Sequence, residues 1–535
     1  MAYQRPLRWI ELLDDLTSVE FLLSVTFAGR EFYFSTRPQN ISGIPFAGGL
    51  SADWTDALDL FNHSPTLLSI PLTLIFPEDV AALVAKGHDL WKGTGELSLW
   101  VEGRPYDDRI VLITGDMVDP SYGADQEPVK FSLEANGFQD SRLTHTQTQK
   151  ILPLVTWGLF GIPNSSENKW YPIVFGTPGR YTNSDGSSTS TLGSPAYVVD
   201  TSGPTPKAVI AGHDVEAANV KIYNTRTGIA GVVAVTSGLD VLGQIVSTVD
   251  FPSAFLFPYT SGDPIFVIWD QGGGGLWNDT RTAARTGAGE IITYLLRLTT
   301  LKTDIGTWRA LGPALDSFKL AGYIDDAVSA WEYIEDNILP LLPLSVFSTG
   351  EGISAVLWRR EATKDEAVGA VTTGGGVARV GPVEYEKQTL YNDIRIDYAK
   401  DAESGDYLRS SGVVGSRKPG TDEPDLFSTS FSRASFLRYG EKARSLDTDI
   451  IYETATATNV LQWMHRAAAF PYRVILYDVP VRLGFLRRGD LVLLTDPEIH
   501  LFGYLAFVRD IAWIDGRPRL SLVLVDDPPR ENRLK

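Results

Sequence analysis

The side chains best suited to proton transfer near neutral pH, or to binding a metal, are six histidines: His63, His88, His145, His213, His465 and His500. No two of them form a His-x-x-x-His pair, the helical spacing that puts two imidazoles on one ion. The chain has no cysteine, which removes thiolate nucleophiles, thiolate metal sites and disulfides together. No Gly-x-Ser-x-Gly elbow occurs, and the serines cluster in loop-like stretches without a nearby histidine. Gln271-Gly-Gly-Gly-Gly-Leu276 approaches a phosphate-binding loop, but it lacks the following Gly-Lys-Ser or Gly-Lys-Thr. It reads as a flexible connection. Trp331-Glu332-Tyr333, with Glu335 and Asp336, sets carboxylates beside aromatic rings, the materials of glycoside hydrolysis. On a helix, however, Trp331 and Glu335 share a face while Glu332 and Asp336 look outward, which describes an amphipathic helix with one solvated side. The expectation is no enzyme: no residue is assigned a catalytic, cofactor-binding or metal-binding role, and no cofactor is implied.

At 535 residues the chain is long for a single core, and domains of roughly 100 to 200 residues imply three to five of them. Hydrophobic residues at 43% and charged residues at 21% are ordinary for a folded protein. The 47 Lys and Arg against 66 Asp and Glu leave a formal charge of -19. Such a surface repels nucleic-acid phosphates, which argues against specific DNA binding and suits a wall that DNA slides past. The 13 Trp, 21 Tyr and 24 Phe point to extensive core and interface area. Met1 to Asp15 lacks the pattern of an export signal, and no apolar run approaches the roughly 18 residues of a membrane span. A soluble chain with no membrane insertion is expected.

The elements follow from periodicity. Phe21–Phe27, Leu67–Phe76, Gly95–Val101, Asp108–Thr114 and Val129–Leu133 are short apolar or alternating runs punctuated by Gly, Pro and Asp, as in β-strands. From about Ile151 to Pro264 the text turns to Gly, Ser, Thr and Pro with short strands between, and Thr182–Thr191 reads as a surface loop. Helical spacing then appears in Ile291, Ile292, Leu295, Leu296 and Leu298, again in Trp308, Leu311, Leu315 and Phe318, and in a helix from near Asp326 limited by Pro340. Gly352–Arg359, Val380–Tyr385 and Tyr391–Tyr398 are expected to form the sheet these helices cover, and the polar stretch Lys400–Asp425 a loop or linker. A helix at Thr456–Ala469 precedes strands at Arg473–Val479, Asp490–Thr495, Leu501–Ile511 and Arg519–Val525, which suggest a small closing barrel or sandwich. The resulting organisation is α+β and predominantly β. It divides into a β-rich domain over 1–150, an inserted small β domain over 151–285, an α+β domain over 286–400, and a linker with a C-terminal small β-barrel over 401–535.

Ile291-Ile-Thr-Tyr-Leu-Leu296, Trp308-Arg-Ala-Leu311 and Ala330-Trp-Glu-Tyr-Ile-Glu335, with Leu339–Leu344, resemble the helical part of siphophage tail hub proteins. That family includes the lambda-type tail tip protein and relatives of the contractile-phage baseplate hub. Tyr171-Pro-Ile-Val-Phe-Gly176 and Val220-Lys-Ile-Tyr223 look like its inserted β domain. Tyr439-Gly440, Ala455-Thr-Ala457, Tyr477-Asp-Val-Pro480, Gly489-Asp-Leu-Val492 and Thr495-Asp496 look like its closing β domain. The similarity spans about residues 150–527; the N-terminal domain fits by position and texture, as a tube-like hub domain.

The resemblance implies a structural hub at the distal end of a bacteriophage tail, made in the host cytoplasm and carried in the virion. It implies a homotrimer that adapts symmetry: two tube-like β domains per chain let three copies meet a sixfold tube. Implied partners are the tail tube protein, the distal tail protein, the tape measure protein and a tail fibre or other tip protein. Phage DNA would pass through the lumen without specific binding when the tube opens for ejection. The alternative reading is a carbohydrate-binding or carbohydrate-cleaving surface protein. Under it, aromatic clefts should bind glycans, and alanine at Trp331 should abolish binding without unfolding the chain.

Overall fold

Runs of aliphatic, aromatic and β-branched residues recur along the chain, and among the described residues strand is the main regular structure, most of it antiparallel. The computed structural model describes residues 19–525 apart from 53, 57–68, 76–81, 85, 90, 92, 122–127, 136–150, 152–164, 183–186, 202–204, 242, 251–262, 300, 302, 327, 350–351, 359–361, 387–389, 417–425 and 515–516. His63 and His145 lie outside the described residues.

The N-terminal strands are β1 (Val19–Phe27), β2 (Arg30–Ser35), β3 (Gln39–Ile41), β4 (Ile44–Phe46), β5 (Leu50–Ala52), β6 (Trp54–Asp56), β7 (Ser69–Leu74), β8 (Thr94–Val101), β9 (Ile110–Ser121) and β10 (Val129–Ala135). Seven of them form one sheet in the order β2-β1-β8-β9-β10-β7-β5. Its alternation works in register: Leu23 lies opposite Leu97 and Leu97 opposite Ile113, while Leu133 lies opposite Ile70 and Met117. All of these side chains are buried on one face. The β3–β4 hairpin covers part of the other face, with Ile41 and Phe46 packed on Leu22 and Trp100.

The insertion holds β11 (Ile173–Phe175), the hairpin of β12 (Arg180–Thr182) and β13 (Ser188–Ser190), and then β14 (Ser194–Asp200), β15 (Lys207–Ala211), β16 (Asn219–Asn224), β17 (Ile229–Val241), β18 (Gln244–Asp250) and β19 (Ile265–Ile268). The last six close into a barrel, β14-β15-β18-β17-β16-β19. Val198, Ile210, Val220, Ile222, Val249, Val267 and Trp269 fill it, and the indole N–H of Trp269 donates to Ser194 Oγ at 3.0 Å.

Next come α1 (Ala288–Arg297), α2 (Ile305–Leu315), β20 (Gly322–Ile324), α3 (Ala330–Tyr333), β21 (Leu344–Thr349) and β22 (Gly352–Leu357). α3 runs on through a single π turn, Ile334–Ile338, and Ser329 caps its start by accepting from the Glu332 N–H. Asp304 caps α2 in the same way, accepting from the Thr307 N–H at 3.1 Å. The remaining elements are β23 (Gly369–Thr372), β24 (Ala378–Glu386), β25 (Asp393–Lys400), β26 (Tyr407–Val414), β27 (Leu426–Phe427), α4 (Ser430–Tyr439), β28 (Ala443–Asp447), α5 (Thr454–Ala468), β29 (Tyr472–Asp478), β30 (Leu491–Asp496), β31 (Leu501–Ile514) and β32 (Arg517–Leu524). A four-stranded sheet, β27-β26-β25-β28, shares one core with the helices. Ile394, Ile396 and Tyr398 from β25 meet Ile291, Leu295, Ile334, Val460 and Leu461 there, and the indole N–H of the buried Trp308 donates to Ile353 O at 3.1 Å.

The closing strands form a second seven-stranded sheet, β23-β30-β31-β32-β29-β24, to which the N-terminal β6 adds beside β31 with Ile511 opposite Asp56. The first and second sheets face one another across a single core. Leu23, Ile70, Leu97 and Leu133 from one meet Ile475, Val492, Leu494, Val508 and Leu520 from the other. The edge of Phe21 meets the Trp513 ring at 5.5 Å between centroids. The two ends of the sequence therefore make one sandwich.

Four local expectations change. Of the barrel or sandwich expected of the closing strands, the structure has a sandwich: they stay an open sheet, because the N-terminal sheet covers the face that closure would hide, and the closed barrel is the inserted one. The strands expected to form a single sheet over the helices separate into three: β22 pairs β21, β24 pairs β29, and β25 pairs β26 and β28. Alternation marks a strand but does not choose its partner. The polar stretch after Lys400 contains β26, a central strand whose Ser411 and Val413 are buried. Within Thr182–Thr191, β12 and β13 pair as a hairpin, with 183–186 outside the described residues.

Candidate assembly surfaces

The described histidines are scattered. His88 is exposed beside the Phe27 ring, and His500 sits in a left-handed turn at φ 58° between β30 and β31. His213 and His465 are buried, and burial pushes both imidazoles down to about 4 from an ordinary 6.5; Arg466 adds to the effect on His465. Among the described residues, no group of three or more His, Asp or Glu is placed to hold a metal ion.

His213 is a staple between barrel and body. Its Nε2 accepts from the Val174 N–H at 2.9 Å, and its Nδ1 lies 2.9 Å from the Asp214 carbonyl, which places the proton on Nδ1. The glycine run completes this joint. Gly275 N–H donates to Gly176 O and Leu276 N–H to Val174 O, while on the other side the N–H groups of Glu216 and Ala217 donate to Gly275 O and Gly274 O. A Cβ at Gly274 or Gly275 would collide with the carbonyl oxygens of Gly176 or Val174. The expected flexible connection is instead a backbone threaded between two others, and glycine is required because only hydrogen fits. Tyr197 in the barrel wall donates its hydroxyl to Asp325 Oδ2 at 2.7 Å, and β11 pairs β20, so the barrel is held on the helical body at several points. Burial raises the Asp325 carboxyl above its usual range.

Trp331 is buried at 5% exposure in the helical core, and its indole N–H donates to Glu335 Oε2 at 2.8 Å. Glu332 and Asp336 are exposed. The carboxylates beside aromatics are thus one helix turn with a wet side and a dry side, as the spacing predicts. Sequence reasoning missed the outer surface of α4. There Leu437, at 74%, is the most exposed large hydrophobic among the described residues, with Arg433 one turn away and Arg438 beside it. The signal was weak because serines interrupt the apolar period of Ser430–Tyr439.

Similarity to known proteins lies in solved structures. No protein-family model matches the chain, and no curated protein does. The chain is similar to the 43 kDa tail protein of prophage MuSo2 from Shewanella oneidensis, at 9% identity over 94% of this chain and 98% of that one, with a TM-score of 0.38. A tail protein from Neisseria meningitidis aligns at 8% identity over 95% of this chain and 97% of that one, TM-score 0.38. A prophage tail protein from Listeria monocytogenes aligns at 8% identity over 94% of each chain, TM-score 0.32. These neighbours are tail proteins.

Proposed function

We propose that this chain is a structural hub at the distal end of a bacteriophage tail, a homotrimer that joins the sixfold tail tube and distal tail ring to the tip or fibre. The observation that carries the reading is the sandwich of two seven-stranded sheets built from opposite ends of the sequence and locked by strand β6. Each chain thus has two β bodies, this sandwich and the inserted six-stranded barrel, the number of tube-like domains that the sequence resemblance calls for, so three copies offer six. The buried threading of the glycine run and the His213 staple support a barrel held firmly enough to transmit load. The acidic chain suits a lumen through which DNA slides on ejection. On this reading the tape measure protein ends inside the ring, the chain resides at the tail tip of a siphophage virion, and its role is mechanical rather than enzymatic.

The test is native mass spectrometry of the purified chain together with labelling of intact particles by an antibody to it. A trimer, and label confined to the tail end away from the capsid, are expected. A monomer with no label on particles refutes the reading.

A further inference from the structure

The four-stranded sheet of the body carries opposite charge at its two ends. β25 and β28 run parallel, with Asp393 beside Ala443 and Asp397 beside Asp447, so their starts lie together at one end and their finishes at the other. At the starting end stand Arg433 and Arg438 of α4, Lys442 and Arg444 at the head of β28, and Arg466 near the end of α5. The Arg438 guanidinium lies over the Tyr439 ring at 5.4 Å and that of Arg444 over Tyr391 at 5.1 Å, which spreads both over flat apolar surface. Leu437 stands out among these cations. Among the described residues, Glu441 and Asp393 are the carboxylates in the same stretch.

At the finishing end the balance is reversed. The turn between β25 and β26 carries Asp401, Glu403 and Asp406, β28 ends on Asp447, and Asp449 follows. Asp325 and Asp326 approach from the helical side, where Tyr323 is surrounded by Asp325, Asp449, Asp326 and Asp401. The cations there are Lys400, paired with Asp449 at 2.6 Å, Arg395, paired with Asp397 at 3.1 Å, Arg409 of β26, whose guanidinium lies over the Tyr181 ring at 5.2 Å, and Lys169, whose charge acts on Asp325; the aspartates and glutamates outnumber them. Glu403, Asp406, Asp447 and Asp326 are exposed.

Eight residues of extended β25 separate the two ends, a span of roughly 23 Å at about 3.3 Å per residue. Because that span is more than twice the roughly 8 Å over which salt screens exposed charge, the two ends do not neutralise one another within a copy. Contact between copies brings them together.

We propose that the outer face of α4, with Leu437 at its centre and Arg438 and Lys442 at its rim, docks on the acidic end of the same sheet in a second copy, so that copies join head to tail. The proposal rests on the hub reading and names its self-contact. A heterologous contact of this kind repeats from copy to copy and forms a ring when the rotation per copy closes, as a contact between two identical faces does not. Leu437 loses water at the centre, while the flanking charges set the register and speed the encounter. The basic end does not select DNA, since the chain as a whole is strongly acidic, whereas the complementary surface is present on every copy.

The test uses the full chain with sedimentation equilibrium at 50, 150 and 500 mM NaCl. One variant reverses the basic end, Arg438→Glu with Lys442→Glu; a second reverses the acidic end, Glu403→Lys with Asp406→Lys; a third combines all four changes. Each single-end variant should associate at least tenfold more weakly than wild type at 150 mM NaCl, and the combined variant should recover to within a few fold. Zero-length carbodiimide crosslinking of mixed isotopically light and heavy wild-type chains should join Lys442 of one copy to Glu403 or Asp406 of another, a readout that stands even where a variant fails to fold. Wild type that assembles while reversed chains assemble equally well, or intermolecular crosslinks that avoid both ends, overturns this contact and leaves the hub reading intact. Wild type that is monomeric at every salt concentration and absent from particles overturns both.

Discussion

Replacing His213 with glutamine should flatten the acid sensitivity of the barrel. In the folded chain the Nε2 lone pair takes the Val174 N–H and the Nδ1 proton points at the Asp214 carbonyl, so both nitrogens are committed to the neutral ring. A second proton would arrive at Nε2, facing an N–H. Burial is the main force that lowers the group from 6.5 to about 4; Asp214 opposes it and Arg285 assists it. The sign follows by linkage: above pH 6.5 the ring is neutral in both folded and unfolded chains, and its contribution is fully present. Between 6.5 and about 4 the unfolded chain takes up a proton that the folded chain refuses, so stability is lost as pH falls. At about 1.4 kcal/mol per tenfold change in proton affinity, the loss is on the order of 3 kcal/mol across that window.

Glutamine keeps an acceptor for the Val174 N–H but does not titrate. Urea unfolding, followed by hydrogen exchange of the barrel strands that surround Trp269, is to be measured at pH 7.5, 6.5, 5.5 and 4.5 for both chains. The variant should be weaker at pH 7.5 by about 1 to 2 kcal/mol for its poorer fit, and the gap should narrow or invert by pH 4.5. Contributions from His465 and the carboxylates cancel in the difference between the two chains. Parallel pH profiles would refute the reasoning, because they would mean that His213 has the same proton affinity folded and unfolded.

Trp331→Ala should cost about 3 to 5 kcal/mol in denaturant midpoint analysis, since it empties a core site and removes the donor to Glu335; retained stability with lost glycan retention on an affinity gel would favour the carbohydrate reading instead. Gly274→Ala should lower the thermal midpoint and expose Val174–Gly176 to limited proteolysis, as the added methyl meets the Gly176 carbonyl; an overpacked core of this sort costs about 1 to 3 kcal/mol. In the closing sheet the Tyr477 hydroxyl donates to the buried Asp496 at 2.9 Å. Tyr477→Phe should cost about 1.5 to 3 kcal/mol, a hydrogen bond to a charged group, measurable by equilibrium unfolding.

Much of the local structure could be read directly from residue order. Of the first stripe Ile291, Ile292, Leu295 and Leu296 are buried and Leu298 partly so; of the second Trp308 and Leu315 are buried and Leu311 partly so, while Phe318 is buried beyond the end of α2, and Trp331 and Glu335 share a face while Glu332 and Asp336 do not. The chemistry denied to a chain without cysteine was equally plain. α4 was not: its capping box at Thr429 is clear only once Ser432 is seen returning the bond, and its serines blur the period.

Residue order by itself determined most of the strands and helices, though not β13, β26 or α4, and it determined which faces are apolar and how acidic the chain is, because these depend on neighbours a few places apart. The tertiary structure alone decided which strands share a sheet. An alternating run such as Asp393–Lys400 satisfies its backbone against any free edge, and closing a long loop costs only slightly more than closing a short one, so distance along the chain does not choose the partner. For the same reason the meeting of Phe21 with Trp513, the threading of Gly274 and Gly275, and the gathering of arginines and aspartates at opposite ends of one sheet were invisible in the sequence. Each joins residues that only packing brings within reach.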